Sequence, residues 1–310
     1  MRFLGILAVL GAAAIWALEP IIARLIGTEV SFDQLLFSRA LGCVVISGLF
    51  LFVRQSFFDK KVVTTPKIPT PYLRALFLIG FLGSFVSDFL YFVAILFFKT
   101  PVVNAVLIAH LQPVFLVLFG HFFFHEGKFS LWDYGGIIAM LLSAILVMSG
   151  SLSNLLGLRF GNVGDLLVLV ATIFWAFSGL LAKKYLQNLP SSLITMGRFV
   201  VATPFYSLTA LLVSGSLLLS WTSLLFGGLI GIGYFLYYEG LKRLKTAQAA
   251  ALELASPVFA TAFGFLFFQE TVSLFKWIGI MLLFVGILAF ERASQNQEKN
   301  TRVFREEIQQ

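Results

Sequence analysis

Charge and cysteine are what this 310-residue chain has least of: only 12% of its positions are charged and Cys43 is its single cysteine. One cysteine excludes an internal disulfide and any metal cage built from thiolates. In an apolar run it reads as a small helix-packing residue rather than a nucleophile. There are three histidines, His110, His121 and His125, and no HExxH. A phosphate-cradling GxxxxGK[ST] loop and a usable Ser/His/Asp set are missing too. The chain therefore reads as neither an enzyme nor an ATP-driven motor, with no metal or other cofactor implied. What fills the space is apolar: 59% hydrophobic residues, 36 of the 310 being Phe. A water-soluble domain of this length cannot hide so much apolar surface, so the solvent is lipid. The net charge of +7 then belongs to loops at a membrane surface and not to a nucleic-acid footprint.

Apolar runs of about 20 residues, the length that crosses a bilayer, fall near 3–23, 34–53, 73–98, 102–124, 131–150, 163–183, 194–214, 221–241, 247–268 and 274–290. Backbone groups in lipid must be satisfied within the segment, and no strand-like alternation is present. The expectation is an all-α integral membrane protein of ten transmembrane helices. The first run has the look of a secretory signal ending in Ala12-Ala13-Ala14. That reading fails because Trp16 and Arg39 recur as Trp175 and Arg198, both at an offset of 159. Lys60, Lys61, Lys67 and the prolines at 66, 69 and 71 make 54–72 a stiff, extended connector. The tail after 291 is polar with mixed charge and reads as a frayed helix or a disordered end.

The duplication is clearest later in each half. Pro113-Val114-Phe115, Phe119-Gly120, Phe123-Phe124 and Glu126 return as Pro257-Val258-Phe259, Phe263-Gly264, Phe267-Phe268 and Glu270, eight identities in fourteen positions at an offset of 144. The chain divides into a first repeat, 1–150, a second, 162–291, and the tail, 292–310. With the N-terminus inside, sixteen Lys and Arg fall on the cytoplasmic side and four on the other. That bias places both termini in the cytoplasm. Five spans per repeat is an odd number, so the second copy is inverted relative to the first. Inverted repeats with a binding site at their interface are the architecture of secondary transporters.

Trp16 with Arg39, the Pro113–Glu126 segment leading to Gly135, and their second-half twins resemble the EamA domain, found in tandem in the drug/metabolite transporter superfamily. The resemblance extends to about residue 290. It implies ten helices, a central cavity between the halves, and alternating access for small metabolites in the cytoplasmic (inner) membrane, often amino acids or their derivatives. Export of amino acids or related metabolites is the function it implies first. Uptake or exchange of a cationic or zwitterionic nucleoside-like metabolite, such as S-adenosylmethionine, is the alternative; an intramembrane enzyme or a receptor is the rival of a different class. The partners are a small-molecule substrate and the lipid bilayer, with no nucleic acid. Family members commonly carry Glu just before the repeated proline. Here those positions are Gln112 and Ser256, and the acid, Glu253, stands four residues before Pro257.

Ionisable groups within spans are costly and each needs a reason. Glu19 shares a helix face with Ala12, Trp16 and Ala23. Asp88 lies in a polar stripe with Ser84, Ser87 and Tyr91, and Glu253 on a small, polar face with Ala249, Ser256 and Ala260. A carboxylate in such a face points to a water-filled cavity. Trp16 and Trp175 lie deeper than an interfacial belt and are expected to form facing cavity walls, with Tyr234 and Tyr238 adding hydroxyls. His110 completes the candidate substrate-binding set. Arg39 and Arg198 are expected at opposite gates, Arg39 near Glu19 and Asp88, Arg198 near Glu239 and Glu253. The rival reading for both arginines is a structural ion pair or snorkelling. Pro113 and Pro257 each remove a backbone hydrogen bond and are read equally as hinges or static kinks.

Overall fold

A computed structural model describes residues 2–57, 70–124, 130–157, 161–186, 189–241, 243, 252–253 and 255–308. Glu126, His125, Ala249 and most of the 54–72 connector lie outside the described residues. Those described form helices and the turns between them, with no strand. The first two segments are α1 (Arg2–Ile26) and α2 (Phe32–Phe57). The third runs through α3 (Thr70–Gly80), a π-helical stretch (Phe81–Val86) and α4 (Ser87–Leu96). The fourth is α5 (Val102–Ala109) and α6 (Gln112–Phe124), the fifth α7 (Leu131–Ser149). After the short α8 (Leu152–Leu156), the sixth is α9 (Val163–Leu181) with a second π stretch (Ala182–Leu186). The last four are α10 (Ser191–Ser214), α11 (Trp221–Leu241), α12 (Ala255–Phe268) and α13 (Leu274–Ile308).

Eight of these runs are long and apolar enough to cross a membrane, and Ala255–Phe268 and Leu274–Phe290 are shorter apolar helices. The ninth is short because its expected first half, before 252, lies outside the described residues. The tail is not frayed: helix α13 continues to Ile308. Many large apolar side chains are left exposed, including Leu131, Phe123, Leu212, Trp221 and Leu225. A surface of that kind suits lipid, because hydrocarbon tails leave no penalty for exposing Leu or Phe.

Local chemistry sets the helix ends. Ser130 with Asp133 and Asn162 with Asp165 form reciprocal capping boxes at the starts of α7 and α9. Gly150 and Gly215 close α7 and α10 with positive φ of 65° and 68°. The fourth segment breaks at His110–Leu111, just before Pro113, whose nitrogen has no hydrogen for the carbonyl of Ala109. Pro113 and Pro257 both lie in the first turn of a described helix, α6 and α12, where a missing N–H costs little; Leu254, just before α12, lies outside the described residues.

The halves are interleaved. Segment one packs on eight and nine, and its counterpart six packs on three and four. Segment two packs on eight, and seven packs on three; two–seven, four–nine and five–ten close the set. Adding five to each segment number therefore maps this set of cross-half pairings onto itself.

Candidate functional site

The site lies where segments one, two, three, six, seven and eight meet. At its centre Arg39, 1% exposed, donates from Nη1 to Asp88 Oδ2 at 2.8 Å and from Nη2 to Glu19 Oε1. The other Asp88 oxygen accepts from Trp175 Nε1 at 3.1 Å. One guanidinium thus ties α1, α2 and α4 together, and the second half enters through an indole. Its carbon also lies 4.7 Å from the centre of the Phe92 ring and 5.7 Å from that of Phe226. Two acids around one base leave this cluster formally negative by one charge.

Arg198 has different partners. Its Nε donates to Ser84 Oγ at 2.5 Å and its Nη2 to the Gly83 carbonyl at 2.7 Å, while its carbon stands 4.5 Å from the Tyr234 ring centre. Those groups are available because the third segment turns π-helical at Phe81–Val86. There the Ser87 N–H reaches back five residues to the Leu82 carbonyl. The register change leaves the Gly83 carbonyl to Arg198 and the Ser84 carbonyl to the Tyr206 hydroxyl at 2.7 Å. Nothing in the hydropathy pattern signals this; the small residues Gly80, Gly83 and Ser84 are its only sequence trace.

The two arginines flank one ring, their guanidinium carbons 5.9 and 5.6 Å from the centre of Phe199. One expectation for them needs correction: among the described residues Arg198 does not take Glu239 or Glu253 as a partner. Glu239 accepts from Arg243 Nη1 at 2.8 Å, one helical turn away, and the Glu253 carboxyl hydrogen-bonds the Tyr237 hydroxyl. Depth counted along separate helices missed that segments two and seven pack directly on each other.

The other predicted residues fall in the same neighbourhood, and among the described residues each tryptophan packs on its own set of rings. Trp16 packs edge-on to Tyr234 and Tyr237, at 6.0 and 5.0 Å, and Tyr237 touches Tyr238. Trp175 instead packs on Tyr91 at 5.4 Å. His110 caps α5, with Nδ1 2.7 Å from the Val106 carbonyl. These contacts expose a repeat missed above: Phe89-Leu90-Tyr91 returns as Phe235-Leu236-Tyr237, offset by 146. That register sets Tyr234 opposite Asp88 and Tyr237 opposite Tyr91. Trp175 touching Asp88 and Tyr91 is then the counterpart of Trp16 touching Tyr234 and Tyr237.

A second ion pair went unpredicted. Arg24 Nη1 meets Glu270 Oε1 at 2.8 Å, its Nη2 donates to the Thr100 carbonyl, and the same Glu270 oxygen accepts from the Val102 N–H at 3.1 Å. This knot joins the end of α1, the start of α5 and the residues after α12. Glu270 was visible as the last residue of the duplicated motif; its partner was not.

Buried ion pairs among long apolar helices define a multi-pass membrane protein with ionisable groups between its two halves. The EamA-like transporter family model matches residues 3–149 and 162–291, and the chain belongs to that family. An uncharacterized transporter of Synechocystis is 28% identical over 206 residues, 62% of this chain and 58% of the relative. Another, of Methanothermobacter thermautotrophicus, is 24% identical over 88% of this chain and 85% of its own. A protein named a probable amino-acid metabolite efflux pump in Escherichia coli is 26% identical over 73% and 78%. A solved crystal structure shares the fold at TM-score 0.62, with 17% identity over 96% of this chain and all of its own.

Proposed function

We propose that the protein is a secondary transporter which exports amino acids or related small metabolites across the cytoplasmic membrane by alternating access. The two halves are inverted five-helix repeats, with both termini in the cytoplasm. The observation that carries this reading is the exchange-symmetric pairing of the halves around Arg39 and Arg198. Two similar units related in this way can rock against each other while a site between them stays fixed. The name of the Escherichia coli relative supports the substrate class. Arg39 with Glu19 and Asp88, and Arg24 with Glu270, hold the outer half closed. Opening outward requires these pairs to separate. Glu253 and Tyr237, beside Trp16, take a substrate ammonium or a coupling proton, and the break before Pro113 lets the fourth segment flex.

Flux in liposomes tests it. Purified protein should move radiolabelled amino acids unchanged across the bilayer, and Arg39→Ala should abolish net flux while opening outer-half cysteines to a membrane-impermeant reagent. A wild type that moves none of the amino acids and their derivatives would overturn the reading.

A further inference from the structure

The two halves treat their equivalent arginines unequally, and the difference is one of charge. At the offset of 159 that relates Trp16 to Trp175 and Arg39 to Arg198, Glu19 corresponds to Ser178. At the offset of 146 that relates the Phe-Leu-Tyr triplets, Asp88 corresponds to Tyr234. Arg39 meets both of its acids. Arg198 meets the aromatic face of Tyr234 at 4.5 Å, and a Cβ built on Gly83 would lie 2.4 Å from Ser178 Oγ and 3.6 Å from Arg198 Nη2. The second-half arrangement therefore repeats the first with both carboxylates exchanged for hydroxyl-bearing side chains.

Arg198 is 6% exposed and Ser178 4%. Among the described residues the Arg198 hydrogen bonds go to neutral groups, Ser84 Oγ and the Gly83 carbonyl, and Ser178 Oγ is buried with no hydrogen-bond partner. A buried guanidinium whose hydrogen bonds go to neutral groups lacks a directly bonded counter-ion, although Asp88 lies nearby, and it is incompletely compensated for leaving water; an unpaired buried hydroxyl adds its own penalty. A small anion relieves both at once. We propose that Arg198, Ser178 and Ser84, walled by Tyr234, form the subsite for the carboxylate of the transported substrate. One fixed positive charge with hydroxyls matches a monoanion. The planar guanidinium suits a carboxylate, which it can meet with parallel hydrogen bonds. The site deepens the transport reading above and rests on it for the substrate's class.

Binding to detergent-purified full-length protein tests the site, using L-phenylalanine, 3-phenylpropionate and phenethylamine, which share a ring and differ in their charged groups. Wild type should bind both carboxylates. Arg198→Gln should raise their dissociation constants at least tenfold and leave that of phenethylamine within twofold. Ser178→Ala should weaken the carboxylates three- to tenfold. Tyr234→Asp, which restores the acid of the other half, should stay folded and lose carboxylate binding through internal pairing, so the idea remains testable if Arg198→Gln fails to fold. Equal loss of phenethylamine binding would make Arg198 merely structural. Unchanged carboxylate binding in the Arg198 or Tyr234 variant, no carboxylate binding by wild type at millimolar concentration, or tighter binding of inorganic phosphate would each overturn the proposal. Liposome flux separates the two readings. Carboxylate binding without flux of any amino acid leaves the site standing and removes the transporter, and flux unaffected by Arg198→Gln does the reverse.

Discussion

Asp88 decides how the centre is wired. It is 2% exposed and divides its oxygens between Arg39 and Trp175, so one carboxylate serves both halves. Removing one partner of a buried pair costs about 3–5 kcal/mol, because the other charge is left uncompensated. Arg39 retains Glu19, which puts Asp88→Asn at the lower end: a loss of about 3 kcal/mol in denaturant unfolding of the detergent-purified protein. A change under about 0.5 kcal/mol, the range of neutral surface substitutions, would show that Glu19 alone compensates Arg39. The sequence supplied Glu19, Arg39 and Asp88 as costly groups needing partners, and depth grouped them correctly. It could not supply Ser84 or Tyr206 as partners, because hydroxyl residues are common in membrane helices and become informative only when a neighbour faces them.

At the scale of elements, the closest approach is between α2 and α11. A Cβ on Gly227 would fall 1.9 Å from the Arg39 carbonyl oxygen, and one on Gly42 would fall 2.0 Å from that of Leu224. Both obstacles are backbone, so neither helix can yield by a rotamer change. Small residues at such crossings let membrane helices pack backbone to backbone. Gly227→Ala should force the pair apart, displace Arg39 and cost about 3 kcal/mol, at the upper end for overpacking. Thermal unfolding in detergent would show it, and a melting temperature within a degree or so of wild type would contradict the close packing. Here the hydropathy pattern was a good guide to the existence of each helix and a poor one to interruptions. It showed neither π stretch. It read Pro113 and Pro257 alike, and both lie in the first turn of a described helix.

At the scale of the whole molecule, orientation is open to a direct measurement. Cys43 is buried, so the native chain gives a nearly silent background for thiol labelling. With both termini inside, Thr28→Cys and Gly215→Cys, at exposed turn positions, should react with an impermeant maleimide in intact cells. A cysteine replacing Thr64, in the lysine-rich connector, should react only after lysis. The opposite pattern would reverse the orientation and exchange the outer and inner assignments of the ion pairs.

Composition and periodicity by themselves determined that the chain is helical, lives in lipid and was built by duplication. Those properties follow from transfer free energy and from register along one chain, both local to a segment. The partners of Arg39 and Arg198 were decided only by the tertiary structure. Which side chains meet depends on how segments two, three, seven and eight cross, and on where a π-turn shifts the facing residues. The contrast between a neutralised Arg39 and an Arg198 ringed by hydroxyls was written in the sequence as Glu19 against Ser178 and Asp88 against Tyr234. It became legible once contacts fixed the register between the halves, because a duplicated helix pair can be aligned in several ways until its neighbours choose one.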